Sequence, residues 1–380
     1  MVKRRICIFC EVWASGGIEA FLSSILPLMN RQRLQIDLVA AEIRESLFRE
    51  PLERIGVRFI ELTGNRRRMA ENRRRLEKLL REQRYDVFHA NLYHGLAFIY
   101  IDAARQAGVP IRIAHSHSTA LRMDFSWLVR MAFHKLGTWI FGDRATDYWA
   151  CSRKAADFLF LQQTDVQIVP NGIEIERFRF SPEVRKQVRS ELGLDGKLTV
   201  GNVGRLCFQK NQTFLLDVFI KLLRQHPKSV LLLVGDGEKR GLLRDKIRKL
   251  GIESSVILLG VTDQVERYYS AMDVFAFPSR FEGLGIAAIE AQASGLPVLC
   301  SEQVPEETRI LPQTFQTFPL SAGAESWAEK LLEVYAANDK KREKCADLVR
   351  ECGYDRETVS RKIEAFYLNG KWGNQRKGAG

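Results

Sequence analysis

Short apolar segments recur along the whole chain, and several of them end at a glycine before a helix-forming segment begins. Residues 230–234 run into Gly235, and residues 256–259 run into Gly260. Such runs are typical of buried parallel strands, and strands that alternate with helices indicate a parallel sheet. Because the pattern fills both halves of a 380-residue chain, we predict an α/β protein with two facing Rossmann-like domains and a central cleft. Further predicted strands are residues 6–13, 35–41, 57–61, 85–90, 111–118, 168–173, 274–277 and 296–301.

The stretch 277–290, FPSRFEGLGIAAIE, joins a buried strand to a helix through a glycine turn. A proline ends the strand because it cannot donate to a central ladder. The amides of a turn at Gly283 and Gly285, together with the positive start of the helix, attract phosphate. Glu282 and Glu290 flank the turn, and a carboxylate can accept hydrogen bonds from two neighbouring sugar hydroxyls. The stretch therefore suits a ligand that carries both phosphate and hydroxyl groups.

A second strand, which begins at Leu198, also runs into a glycine segment, and there Arg205 is followed five residues later by Lys210. Two cations of different geometry near a strand end suit a diphosphate; taken alone, such a pair is more often surface charge. Gly235 ends a buried strand, where ligands bind in α/β folds. Neither the turn at Gly235 nor the turn at Gly260 is a G-x-G-x-x-G, which disfavours a dinucleotide fold.

The first half offers a glycine pair and a histidine pair at strand ends. Gly16 and Gly17 lie between the first strand and a helix predicted near 19–29, which lets a ligand approach the backbone. His115 and His117 end the strand at 111–118. Strand-end histidines are commonly structural. They could also suggest a metal, but no third ligand lies nearby in the sequence and the carboxylates do not cluster, so we predict no metal site.

Charge is distributed unevenly along the chain. Of the formal net charge of +12, residues 1–150 carry +8. A basic surface of this kind could face nucleic acid, an anionic membrane or a phosphorylated substrate. No segment reaches the ~18 uninterrupted apolar residues of a membrane span. The seven cysteines are scattered, a pattern typical of a reducing, cytoplasmic setting.

Two segments of the first half each allow two interpretations. Residues 65–81 predict an amphipathic helix whose basic side is either solvated surface or an attachment to anionic lipid. Residues 120–141 combine aromatic and aliphatic side chains with interspersed cations. They suit either core packing or a surface that faces the acceptor or a membrane. The cations predicted on the basic side of the helix at 65–81 are Arg67, Arg74, Lys78 and Arg81.

Several motifs, in order, resemble the retaining glycosyltransferases of family 4, which use nucleotide sugars. The likeness covers about residues 3–368. It includes the glycine pair, HSHS at 115–118, PNGI at 170–173, and the motifs GRL and KN within 204–211. It also includes two glutamates separated by seven residues within the segment 273–297. FPSRFEGLG and EAQASGLPVL resemble most the bacterial exopolysaccharide and capsule enzymes. Gly285 stands where such relatives often have proline.

The resemblance implies the GT-B fold and a role for each motif. The first domain would hold the acceptor and the second the donor. Arg205 and Lys210 would clamp the donor diphosphate, and Glu290 would hold the ribose. His117, or secondly His115, would face the transferred sugar. Glu282 would act either as a nucleophile or as support for a same-face displacement. The remaining donor-binding positions are Gly16, Gly17, Gly235, Gly283, Leu284 and Gly285.

The same resemblance implies a set of partners. The donor would be a nucleotide diphosphate hexose, with uridine diphosphate as the carrier, and neither a metal nor a further cofactor would be required. The acceptor would be a saccharide linked to a lipid such as a polyprenyl diphosphate, so a cytoplasmic enzyme would visit the inner face of the membrane. The predicted domains are residues 1–173, a linker at 174–197, residues 198–360, and a crossover helix with a disordered tail at 361–380.

Two other functions are compatible with parts of this pattern. A nucleotide-sugar epimerase of the same fold would use the same donor site without a separate acceptor. A nucleic-acid-binding protein would explain the charge of +12, but the chain contains no recognised nucleic-acid module. We therefore expect no nucleic-acid partner.

Overall fold

The computed structural model describes residues 3–14, 16–121, 127–161, 163, 165–337 and 341–372. It divides the chain into two compact units. The first comprises the described residues of Met1–Ile173 and Asp355–Gly380, and the second comprises those of Glu174–Tyr354. The second unit thus includes the segment 174–197 that was predicted as a linker. The chain returns to the first unit at Asp355, earlier than the predicted position 361.

The first unit is a parallel sheet with helices between its strands. Among its described residues, seven parallel strands follow the order β3-β2-β1-β4-β5-β6-β7. Its elements are β1 (Arg4–Trp13), α1 (Gly17–Ile25), β2 (Leu34–Ile43), α2 (Arg49–Arg54), β3 (Arg58–Glu61), α3 (Met69–Gln83), β4 (Val87–Leu92), α4 (Phe98–Gln106), β5 (Ile111–Ser116), α5 (Trp127–Phe141), β6 (Asp147–Ala150), α6 (Arg153–Leu159) and β7 (Gln167–Ile168).

The last helix of the chain completes the core of this first unit. It spans Arg356–Asn369, and Ile363, Phe366 and Tyr367 belong to the same buried cluster as the apolar side chains of β1 and α1. The Ser360 hydroxyl donates to the carbonyl of Ile25 at 2.9 Å. The buried side chains of the helix Arg356–Asn369 therefore pack on the first sheet, far away in sequence.

The second unit repeats the architecture. In the part of it that the structure describes, six parallel strands follow the order β10-β9-β8-β11-β12-β13. Its elements are α7 (Ile175–Phe178), α8 (Pro182–Glu191), β8 (Leu198–Val203), α9 (Gln212–Gln225), β9 (Ser229–Val234), α10 (Arg240–Leu250), β10 (Val256–Gly260), α11 (Val265–Ala271), β11 (Val274–Phe277), α12 (Ile286–Ala293), β12 (Val298–Ser301), β13 (Phe315–Phe318), α13 (Gly323–Ala336) and α14 (Cys345–Glu351); the last helix, named above, is α15.

Ion pairs attach the segment predicted as a linker to the second unit. Arg185 and Arg189 of α8 both pair with Asp273, directly before β11, and Asp273 also accepts from the backbone amide of Thr199 at 2.8 Å. A mostly covered carboxylate that contacts two guanidinium groups and an amide is well compensated. Residues 182–191 are therefore attached to the second unit beside its sheet.

Some elements differ from their predicted bounds. The helix predicted at 19–29 ends at Ile25 and continues as a 3₁₀ turn over Leu26–Leu28, because Pro27 cannot donate the next helical hydrogen bond. The strand predicted at 111–118 ends at Ser116, so His117 follows it. Ser15, residues 122–126 and the predicted tail from 373 onward lie outside the described residues.

None of the helices in the described residues is both long enough and apolar enough to cross a bilayer.

Candidate active site

The glycine turn of 277–290 connects β11 to α12, as predicted. Gly285 caps α12 with φ +87°, a conformation that side chains with a Cβ rarely adopt. A Cβ on Gly285 would also lie 3.3 Å from Cε1 of Phe277. Leu284 is buried, and its carbonyl accepts from the Thr308 hydroxyl. The first amides of a helix have no intrahelical acceptor, so the start of α12 can receive an anion.

Glu282 is held between two side chains from the segment before α9. Lys210 Nζ lies 2.7 Å from Glu282 Oε1, and Gln209 Nε2 donates to Oε2 at 3.1 Å. Glu282 is buried, and Lys210 Nζ also lies 4.8 Å from the ring centroid of Phe277. The structure thus brings together Lys210 and Glu282, two predicted site residues 72 positions apart.

The other residues of the second unit that were predicted to bind the donor, Arg205 and Gly235, lie at the carboxyl ends of strands. Arg205 follows β8, where its exposed guanidinium is 3.3 Å from a carboxylate oxygen of Glu238. Gly235 follows β9 with φ +131°, and a Cβ there would lie 2.2 Å from the carbonyl oxygen of Gly204. The glycine at 235 therefore lets the turns after β8 and β9 pack backbone against backbone at this edge of the sheet.

Glu290 lies in α12 and receives a hydrogen bond from a neighbouring helix. The Tyr269 hydroxyl of α11 donates to Glu290 Oε2 at 2.7 Å. Burial raises the pKa of Glu290 to about 7, while the Tyr269 hydrogen bond and the charges of Arg177 and Lys210 act to lower it. The carboxylate is therefore balanced between its neutral and ionised forms near neutral pH.

In the first unit, Asn91 determines which ring nitrogen of His117 carries the proton. The Asn91 side-chain amide donates to the carbonyl of Phe9 at 3.2 Å, so its oxygen is the atom that faces His117 Nε2 at 2.9 Å. Nε2 must then carry the proton, and Nδ1 is left as an acceptor. Nδ1 is buried and has no hydrogen-bond partner among the described residues. Burial lowers the pKa of His117 to about 3, so the ring is neutral.

His115, the second choice for this role, belongs to a buried chain of polar groups. Its Nδ1 lies 3.0 Å from Nε2 of His89, whose Nδ1 lies 2.6 Å from the hydroxyl of Tyr367 in α15. Burial lowers the pKa of both rings, that of His89 to about 3. His115 is completely buried, whereas His117 is partly exposed. The geometry thus favours His117 as the ring available to a ligand.

The glycine pair stands at the start of α1. Gly16 is the extended N-cap residue and Gly17 is the first helical residue. Glu19 of the same helix is buried, and its Oε1 accepts from the amide of Ala14 at 3.0 Å. Burial raises the pKa of Glu19. The Phe21 ring of α1 lies 5.9 Å from the ring of His117, so the start of α1 and His117 belong to one edge of the first sheet.

Sequence reasoning missed the side chains that hold these groups. Gln209 lies beside a predicted residue but attracted no interpretation. Asn91 directly follows the strand predicted at 85–90, beside the strand that precedes His117, and this adjacency could have identified it. Tyr269 lies 21 positions from Glu290 on another helix, and no local pattern signals it. Within the described ranges, no group of three or more His, Cys, Asp or Glu side chains could hold a metal ion.

The chain is similar to known glycosyltransferases over nearly all of its length. Residues 15–177 match the family described as Glycosyltransferase Family 4, and residues 184–351 match the family described as Glycosyl transferases group 1. EpsF of Bacillus subtilis, which is assigned as a glycosyltransferase, is 28% identical over 93% of both chains.

Two further comparisons concern an enzyme and a fold. The UDP-Gal:alpha-D-GlcNAc-diphosphoundecaprenol alpha-1,3-galactosyltransferase of Escherichia coli is 30% identical over 60% of each chain. The crystal structure of HepE from Anabaena in complex with UDP-glucose superposes with a TM-score of 0.77 at 21% identity, covering 97% of this chain and all of HepE. The fold is that of HepE.

Proposed function

The chain belongs to the family 4 glycosyltransferases with the GT-B fold, and from this premise we propose that it transfers a hexose from a uridine diphosphate sugar to a lipid-linked saccharide. The transfer would retain the anomeric configuration and would serve exopolysaccharide or capsule synthesis. The observation that carries the proposal is the Lys210–Glu282 pair, 2.7 Å apart, in which a buried Glu282 lies shortly before the start of α12. The E. coli relative acts on a UDP-sugar and a lipid-linked acceptor according to its name. The likeness of FPSRFEGLG to exopolysaccharide enzymes supports the pathway.

The reaction breaks the bond between the anomeric carbon and the diphosphate and forms a bond to an acceptor hydroxyl oxygen. The leaving diphosphate gains negative charge in the transition state. Lys210, Arg205 and the amides at the start of α12 would stabilise that charge, since preorganised donors act most strongly where charge develops. In a same-face displacement the acceptor proton passes to an oxygen of the leaving diphosphate.

We assign Glu282 the supporting role, because its two oxygens already accept from Lys210 and Gln209. A carboxylate bonded in this way is a weak nucleophile, but it orients the ammonium of Lys210. Glu290 would accept from the ribose hydroxyls. The free Nδ1 of neutral His117 would accept from a hydroxyl of the transferred sugar.

The enzyme would need no divalent metal, because protein cations balance the diphosphate. It would work in the cytoplasm at the inner face of the membrane, where the lipid carrier is accessible. In α3 itself, Arg81 pairs with Glu77 at 2.7 Å and Lys78 with Glu82 at 3.8 Å. These pairs reduce the charge that α3 offers to anionic lipid.

The test is an assay with a panel of UDP-sugars and an undecaprenyl-diphosphate-linked GlcNAc acceptor. We expect one donor to yield a new glycolipid and free UDP, with an anomeric NMR coupling constant that shows retention. A new nucleotide sugar formed without acceptor would instead identify an epimerase. Filter binding with duplex and single-stranded nucleic acid should show no saturable complex.

A further inference from the structure

Helix α5 has its polar and apolar sides reversed relative to an ordinary surface helix. His134 and Thr138 are buried, whereas one side of the helix exposes six large apolar side chains, each between 39% and 73% exposed. Core packing, one of the two interpretations of residues 120–141, is therefore wrong for these side chains. The six are Leu128, Val129, Phe133, Leu136, Trp139 and Ile140.

The buried side of α5 is fixed firmly, so the exposed side is not a loosely packed core. His134 Nδ1 accepts from the amide of Gly95 at 2.9 Å, and its Nε2 donates to the carbonyl of Phe158 at 3.0 Å. A Cβ on Gly137 would lie 2.5 Å from Cα of Leu96, so the helix backbone lies directly on the turn after β4. These contacts hold the apolar side outward.

The length and composition of α5 match a helix that lies in a membrane interface. Fifteen residues span about 22 Å, which is shorter than the ~30 Å hydrocarbon core. The helix contains Arg130 and Lys135 but no acidic residue. Its tryptophans, Trp127 and Trp139, are of the residue type enriched at the boundary between lipid and water. An apolar side with flanking cations is typical of interfacial helices.

Charge distinguishes a membrane from a second copy of the chain. Residues 1–150 carry a net charge of +8, and two copies that met through α5 would bring like charges together. An anionic leaflet complements the same charge, and each Lys or Arg near such a surface adds about 1 kcal/mol of attraction. The observations thus favour lipid as the occupant of the apolar side.

We propose that α5 inserts its exposed apolar side into the interface of an anionic membrane and anchors the first unit there. The choice of a membrane as the partner rests on the proposed function, because that function requires a lipid-linked acceptor. Because α5 packs on the turn after β4, insertion holds the strand-end edge of the first sheet, with His117 and Gly16, close to the leaflet.

The test compares two triple variants of the full chain in cosedimentation with phosphatidylglycerol vesicles. Leu128→Gln/Phe133→Gln/Trp139→Gln removes the apolar side, whereas Leu47→Gln/Leu242→Gln/Val261→Gln changes equally exposed apolar residues elsewhere. We expect the α5 variant to bind at least ~10-fold more weakly, because apolar burial is lost, and the control to bind as wild type. Calorimetry with UDP-glucose checks that both variants retain a folded donor site.

A second measurement does not depend on folding of the triple variant. Brominated phosphatidylglycerol should quench tryptophan fluorescence of the wild-type protein, and Trp139→Phe should remove most of that quenching. Equal vesicle binding by the α5 variant, no binding by wild type, or a solution dimer that the α5 variant dissociates would each overturn the proposal. Vesicle binding is read separately from glycosyl transfer, so loss of the proposed function would appear as normal vesicle binding without a glycolipid product.

Discussion

If Glu290 holds the ribose as proposed, its carboxyl group is ionised when it accepts from two ribose hydroxyls, yet burial raises its pKa to about 7. The ligand favours the ionised form and lowers the bound pKa. The affinity for UDP-glucose should therefore rise with pH up to about 7 and level off above it. Calorimetry at several pH values measures this, since the diphosphate diester of UDP-glucose does not titrate in the range. Glu290→Gln should weaken binding roughly 10- to 100-fold and remove the pH dependence.

A substitution of Tyr269 tests the assignment of Glu290 independently. Its hydroxyl bonds to Glu290 at 2.7 Å and opposes the rise in pKa. Tyr269→Phe should move the affinity profile to higher pH and weaken binding roughly fivefold at pH 7. Tyr268→Phe, on the neighbouring residue, is the matched control. A profile that Tyr269→Phe leaves in place would contradict the assignment of Glu290.

Glu282 is expected to act through Lys210. Glu282→Gln keeps a hydrogen-bond acceptor but loses the charge that orients the ammonium, so kcat should fall roughly 100-fold or more while donor affinity changes little. Gln209→Ala should lower kcat by a smaller factor, with KM unchanged. Glu282→Ala assayed with azide separates the two roles. A glycosyl azide whose anomeric configuration is inverted relative to the donor would show that Glu282 is a nucleophile and would refute the supporting role.

His117 should serve as a hydrogen-bond acceptor only while it is neutral. Asn91→Asp sets a carboxylate against Nε2 and should raise the pKa of His117. A protonated ring has no free acceptor, so kcat at saturating donor should fall as pH decreases, whereas the wild-type value, with a His117 pKa of about 3, should stay level above pH 5. Asn91→Leu should lower kcat equally at all pH values. An Asn91→Asp profile identical to wild type would exclude this role.

At the scale of elements, the β11–α12 turn depends on the backbone of Gly285. A proline would not fit at this position, because proline requires φ near −65° and Gly285 has φ +87°. Gly285→Ala should lower the free energy of unfolding by roughly 1–2 kcal/mol and weaken donor binding. Denaturant unfolding measures the first effect. Gly241→Ala, in α10 with no atom within 4 Å of its added Cβ, should instead stabilise by up to ~1 kcal/mol.

At the scale of the whole molecule, the excess of cations bears on the metal requirement. If Arg205, Lys210 and the amides of α12 balance the diphosphate, turnover should be unchanged by EDTA. The assay is glycolipid formation with and without chelator, followed by addition of magnesium or manganese. Activity lost to the chelator and restored by either ion would show that a metal holds the diphosphate.

Local patterns in the sequence were sufficient to predict two parallel-sheet α/β domains and the glycine turn at 283–285, whereas the assignment of individual residues to the donor stays a prediction. A buried strand, a glycine and a helix start require a few neighbouring residues of definite type, so these features can be read locally. The family could be recognised for the same reason, because its motifs lie at such strand ends.

The tertiary structure alone decided which side chains contact Glu290 and His117, and which apolar side chains of α5 are exposed. Tyr269 reaches Glu290 from another helix, and Asn91 reaches His117 from a neighbouring strand. Segment 182–191 joins the second unit through Asp273. The apolar residues of α5 resemble a core segment in sequence, and their exposure follows from contacts of His134 and Gly137 with the turn after β4. Each of these depends on partners distant in sequence, which local propensity and periodicity do not encode.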